Sequence, residues 1–131
     1  MRPLQPLIVG LGMDSVEIER FSHFKTYSAR QLNRIFSTKE IAYCLNSPCK
    51  SAERFAVRFA AKEALFKALS QATKLENLSF LNVCKASSVE KHPFLHLSVL
   101  WDTLQLPPFF ILVTLTHTAK TASAIVLLQK I

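Results

Sequence analysis

Asp14 and Glu63 are two carboxylates of the kind that hold a divalent cation beside phosphate. Mg²⁺ takes oxygen ligands and is typically held by one or two carboxylates plus substrate phosphates, keeping several waters. Two carboxylates on separate elements, beside a basic ridge, suit a Mg²⁺–pyrophosphate site. Arg54, Arg58 and Lys62 supply such a ridge, recurring every four residues. Fixed arginine donors favour phosphate groups, although a solvated charged face is the ordinary explanation of the same spacing.

Glu63 is the anomaly in this set. At about 100° per residue, counted from Phe59, Ala52, Phe55 and Phe66 fall within roughly 40° and Ala56 near 60°. Glu63 falls at about 40°, inside the same apolar stripe. An unpartnered buried carboxylate costs several kcal/mol or shifts its pKa until it is neutral. A metal ion, a base role or a salt bridge would rationalise it. Lys67, one turn on, offers the salt bridge in the favourable Glu-before-Lys orientation. Asp14 follows Gly10-Leu11-Gly12-Met13, at the end of an apolar run. Strand-end carboxylates serve as metal ligands, but also as turn and N-cap residues. The two glycines are the only ones in the chain. They form neither a dinucleotide fingerprint, which needs a third glycine, nor a Walker loop, which needs a following Gly-Lys-Ser/Thr.

Positioning these groups falls to a small number of elements. Leu7–Met13 reads as a buried strand, and Ser15–Phe24 as a short helix. Ala29–Phe36 is expected to be helical. Ser37-Thr38-Lys39-Glu40 is a capping-box start signal for a helix through Ile41 and Leu45, which Asn46-Ser47-Pro48 stops. Ser51–Ser70 is the strongest helix, rich in Ala and Leu and without a breaker. Its apolar residues occupy two sides, so cover from its own domain and from another subunit is expected. Leu78–Cys84 reads as a strand, Phe94–Leu100 alternates, and Leu104–Leu106 ends at Pro107-Pro108. Phe110–Thr116 and Ala122–Leu128 form a terminal hairpin with His117–Thr121 at its turn.

The 131 residues, half of them hydrophobic, suit one domain, 1–131, with a real core. The formal net charge of +7 favours acidic partners. The aromatic residues sit in apolar runs rather than interleaving with Lys and Arg, which argues against a nucleic-acid interface. No apolar run is long enough to span a membrane or to act as a signal peptide. Three cysteines without a CxxC pair are read as reduced thiols in a cytoplasmic protein, with Cys44 and Cys84 in the core.

Three segments resemble the holo-[acyl-carrier-protein] synthases, the small bacterial type of 4′-phosphopantetheinyl transferase. They are Ile8-Val9-Gly10-Leu11-Gly12-Met13-Asp14-Ser15-Val16-Glu17-Ile18-Glu19-Arg20, then Arg58-Phe59-Ala60-Ala61-Lys62-Glu63-Ala64-Leu65-Phe66-Lys67-Ala68-Leu69, and Val113–Ala124. The second is the most specific. The resemblance implies an α+β fold, an antiparallel sheet packed with a long central helix, assembled as a homotrimer with sites at subunit interfaces. It implies transfer of 4′-phosphopantetheine from coenzyme A to a serine of an acidic acyl carrier protein, with Mg²⁺ as cofactor, in fatty acid biosynthesis. Asp14 and Glu63 match the metal-binding carboxylates, and Lys67 a lysine that stabilises charge at the phosphoryl centre. Arg58, Lys67, His117 and Thr118 fall where coenzyme A is bound, and Arg20 where the carrier protein docks.

The chain also departs from that pattern. Where members have a Gly-rich stretch after the motif lysine, it reads Ser70-Gln71-Ala72-Thr73-Lys74, so backbone contacts to coenzyme A there do not carry over. A later Gly-Lys-Pro turn is replaced by Lys91-His92-Pro93, and serines flanking the late histidine by Thr114 and Thr116. These losses keep open a rival reading, a non-catalytic coenzyme A- or carrier-protein-binding protein of the same fold.

Overall fold

The computed structural model describes residues 7–73, 78–85, 87–88, 95–96 and 109–130. Strand β1 (Ile8–Glu17) is followed by 3₁₀ turns at Ile18–Phe21 and Phe24–Thr26, then by helices α1 (Ala29–Leu32) and α2 (Thr38–Leu45). A third 3₁₀ turn, Pro48–Lys50, leads into α3 (Ser51–Ala72), and α4 (Phe80–Val83) follows. Short strands β2 (Ser87–Ser88) and β3 (Leu95–His96) pair with each other, and β4 (Phe109–His117) and β5 (Thr121–Lys130) close the chain. β1, β5 and β4 form one antiparallel sheet in the order β1-β5-β4.

Side chains alternate across that sheet. Gly10, Gly12 and Val16 of β1 and Ala122, Ala124, Val126 and Leu128 of β5 are buried beneath α3. The inner face is built from small residues, so helix and sheet approach closely. A Cβ on Gly12 would run into the Ala64 carbonyl oxygen and the Ala68 nitrogen, and one on Gly10 into the Ala68 carbonyl. That contact explains why the only two glycines of the chain stand here.

The other side of α3 is covered by the same chain, through α2, α4 and the 3₁₀ turns. Phe21, Phe24, Phe36, Phe55 and Phe59 stack there in a continuous chain of tilted and edge-on rings. Lys62, fully buried, forms an ion pair with Glu40 at 2.9 Å and donates to the Cys84 carbonyl. Among the described residues, exposed apolar side chains cluster on the outer face of the sheet, at Leu11, Met13, Phe110, Leu112 and Ile125.

Several expectations change. The strand expected over Leu7–Met13 runs on to Glu17, because Met13–Glu17 pairs residue by residue with Thr121–Ile125. That pairing overrides the helix expected from Ser15, and it places Asp14 within the strand rather than at its end. Nor is the strand buried on both faces, since Ile8, Leu11 and Met13 are exposed. The segment Leu78–Cys84 contains a helical turn, not a strand: the Ser79 side chain caps it by accepting from Asn82 N–H at 3.2 Å. The helix expected over Ala29–Phe36 ends at Leu32. The Ser37–Glu40 capping box forms as read, and α3 extends two residues past Ser70. The Leu104–Leu106 strand, the Lys91-His92-Pro93 turn and most of Phe94–Leu100 lie outside the described residues.

Candidate active site

Asp14 faces inward from β1 opposite Ala124, and α3 crosses above it on the two glycines. The close approach brings Glu63 and Lys67, one turn apart on α3, onto the same spot. Lys67 Nζ donates to the Met13 carbonyl at 3.0 Å and to Asp14 Oδ1 at 3.2 Å. The sequence left open a Glu63–Lys67 pair; the lysine bonds β1 instead. Asp14 Oδ2 is buried and has no hydrogen-bond partner among the described residues.

Glu63 is half-buried, and its pKa is raised. Burial is the main cause and the Asp14 carboxylate adds repulsion, while Lys67 and Arg20 act in the opposite direction. Arg20 stands over the rings of Phe21 and Phe59, 5.7 and 5.8 Å from their centroids. Two carboxylates that repel each other, one with an orphaned buried oxygen, form a donor set that a hard divalent cation would relieve. Among the described residues no group of three or more His, Cys, Asp or Glu could hold a metal. A cation here would depend on substrate oxygens and water for its other ligands, which is the usual mode for Mg²⁺.

The remaining candidates lie away from this cluster. Arg58 is buried and lies 4.3 Å from the centroid of the Tyr43 ring, with Arg54 at 4.2 Å from the same centroid. Together with the buried Lys62, this removes the solvated-face reading of the basic ridge. His117 sits at the end of β4, with Nε2 3.0 Å from Glu53 Oε1. In the sheet it is two residues and two strands from Asp14, roughly 12 Å by strand geometry. Thr118 turns the hairpin, its hydroxyl accepting from the amides of Lys120 and Thr121 at 3.2 and 3.0 Å.

Three contributors escaped the sequence reading. Gln71 accepts from Leu11 N–H at 2.9 Å. Glu53 pairs with His117. Glu40, read only as a capping residue, also neutralises Lys62. For Lys62 the signal was present, since it falls about 60° from Phe59 on the helical wheel. Gln71 and Glu53 are partnered by strands far away in sequence, and spacing gives no sign of them.

Residues 10–106 match the family model of the 4′-phosphopantetheinyl transferase superfamily. The holo-[acyl-carrier-protein] synthase of Protochlamydia amoebophila is 36% identical over 119 residues, covering 90% of this chain and 95% of that protein. The fold matches a synthase from Bacillus anthracis in complex with CoA (3′,5′-ADP), with a TM-score of 0.71 at 25% identity over 96% of this chain and 100% of that one. The Helicobacter pylori synthase in complex with coenzyme A gives a TM-score of 0.65 at 31% identity over 91% and 99% of the two chains. With the matched segment containing the carboxylates and the lysine of the cluster, this chain belongs to the 4′-phosphopantetheinyl transferase superfamily, among the holo-[acyl-carrier-protein] synthases.

Proposed function

We propose that the chain transfers 4′-phosphopantetheine from coenzyme A to a serine hydroxyl of an acidic acyl carrier protein, in fatty acid biosynthesis. The observation that carries this reading is the Asp14–Glu63–Lys67 cluster, with its orphaned Asp14 oxygen and its raised Glu63 pKa. Asp14 and Glu63 would hold Mg²⁺, which when bound would offset the charge of the coenzyme A pyrophosphate. The serine oxygen attacks the β-phosphorus, and the bond from that phosphorus to the bridging oxygen breaks. Adenosine 3′,5′-bisphosphate leaves. Glu63 is the carboxylate suited to take the serine proton, directly or through a water. Lys67 is anchored on the Met13 carbonyl and half-exposed, so its ammonium can also meet the charge of the transferring phosphate.

Arg58, His117 and Thr118 are assigned to the coenzyme A phosphates. The spacing of roughly 12 Å between Asp14 and His117 fits a long ligand with phosphates at separate points. Arg20, beside Glu63, is assigned to docking the carrier protein, and the net charge of +7 suits an acidic partner. A homotrimer would cover the apolar outer face of the sheet. No helix among the described residues is long and apolar enough to cross a membrane.

The test is to incubate the protein with coenzyme A, Mg²⁺ and apo carrier protein and to weigh the carrier. A phosphopantetheine adduct is expected, abolished by EDTA, by Asp14→Ala and by Glu63→Ala. An unmodified carrier, under conditions where a known transferase works, refutes the reading.

A further inference from the structure

Gln71 stands one helical turn beyond Lys67, in the segment that replaces the glycines of the resembled pattern. There α3 stays helical to Ala72. The side-chain Oε1 of Gln71 accepts from Leu11 N–H at 2.9 Å, while Lys67 Nζ donates to the carbonyl of Met13 at 3.0 Å. The two side chains thus bracket Gly12, the residue whose missing Cβ lets α3 come down onto β1. In the described sheet β1 is an edge strand. Its outward backbone groups need partners, and α3 supplies them where a neighbouring strand does not.

We propose that Gln71 is a positioning residue of the site: its bond to Leu11 N–H fixes the β1 edge at the register in which Asp14 faces Glu63 and Lys67 reaches both Met13 and Asp14. The site chemistry invoked rests on the transfer reading above. The Asp14 carboxylate is three residues along the strand from the pinned amide, and the Met13 carbonyl lies between them. A β1 edge freed at Leu11 therefore moves both lysine partners together. The role needs only an acceptor of the right length, so Gln71→Glu should preserve it. Gln71→Met keeps the length and removes the acceptor.

Three measurements test this on the full chain. Hydrogen exchange at the Leu11 amide should speed up in Gln71→Met by roughly three- to tenfold, the range expected for one exposed hydrogen bond. Mn²⁺ binding to the protein without coenzyme A, read by electron paramagnetic resonance, should weaken over a similar range. In the transfer assay kcat should fall with the KM for carrier protein unchanged. Gln71→Glu should retain Leu11 protection and bind Mn²⁺ no more weakly than the natural chain. Far-ultraviolet circular dichroism should show both variants folded. The proposal is overturned if Gln71→Met keeps both Leu11 protection and Mn²⁺ affinity, or if Gln71→Glu loses as much as Gln71→Met. If the natural chain binds Mn²⁺ and the variants behave as expected while no carrier is modified, the transfer reading fails and the positioning role stands.

Discussion

Lys62 Nζ lies 2.9 Å from Glu40 Oε1, and neither side chain touches solvent. Glu40 Oε1 also accepts from the Ser37 amide at 2.8 Å, and Lys62 donates to the Cys84 carbonyl at 3.2 Å. One buried pair therefore ties the start of α2 and the end of α4 to α3, next to Glu63. Two buried ions are stable together only because each satisfies the other and its hydrogen-bonding neighbours.

Lys62→Met should therefore cost about 3–5 kcal/mol, the usual penalty for leaving one member of a buried pair alone. Urea unfolding of the purified variant measures it. A loss below about 1 kcal/mol, coupled to a raised KM for coenzyme A, would place Lys62 on phosphate instead of in the core.

The same pair marks what the sequence could and could not disclose. The capping box at Ser37 and Glu40 was legible because it is local, and so were α3, rich in Ala and Leu without a breaker, and the terminal hairpin. The burial of Lys62 had a signal on the helical wheel, but its counter-ion had none, because Glu40 sits on another helix. β1 was read too short for a similar reason: Ser15, Val16 and Glu17 are extended only because β5 pairs with them. Asp14 and Glu63 were recognisable as candidates, but their meeting depends on Gly10 and Gly12 admitting α3. No pattern within either segment contains that contact.

Gly12→Ala tests that dependence directly. Its Cβ would meet backbone atoms of Ala64 and Ala68, which cannot swing aside as a side chain can. Overpacking of this kind costs about 1–3 kcal/mol, so the melting temperature should drop. Activity should fall further than the folded fraction explains, because the helix is lifted from Asp14. A variant with natural stability and natural transfer rate would show that the close approach does not set the site.

The three thiols should separate by environment. Cys44 and Cys84 are buried, and desolvation pushes each thiol up to about 12. Cys49 is exposed. Only thiolates attack a disulfide reagent, so titration of the folded protein with such a reagent at pH 8 should modify one cysteine, and denaturant should release the other two. Fast labelling of all three without denaturant would contradict the packing of α2 and α4 around Lys62.

Glu63→Gln should abolish transfer and yet stabilise the metal-free protein at pH 7. The pKa of Glu63 is raised in the folded state above its ordinary 4.5, by burial first and by Asp14 second. Folding then favours the protonated form. The stability Glu63 contributes is complete below about 4.5 and is lost as pH rises through the raised folded value. Above that value the natural chain carries an ionised, partly desolvated carboxylate facing another one, and the glutamine variant does not. In EDTA its melting temperature should exceed that of the natural chain, with the gap closing as pH falls toward 4.5. Adding Mg²⁺ should raise the melting temperature of the natural chain and leave the variant nearly unmoved, since a ligand stabilises only the state that binds it. If the variant melts below the natural chain in EDTA at pH 7, the carboxylate is already compensated within the protein, and the case for a cation between Asp14 and Glu63 fails.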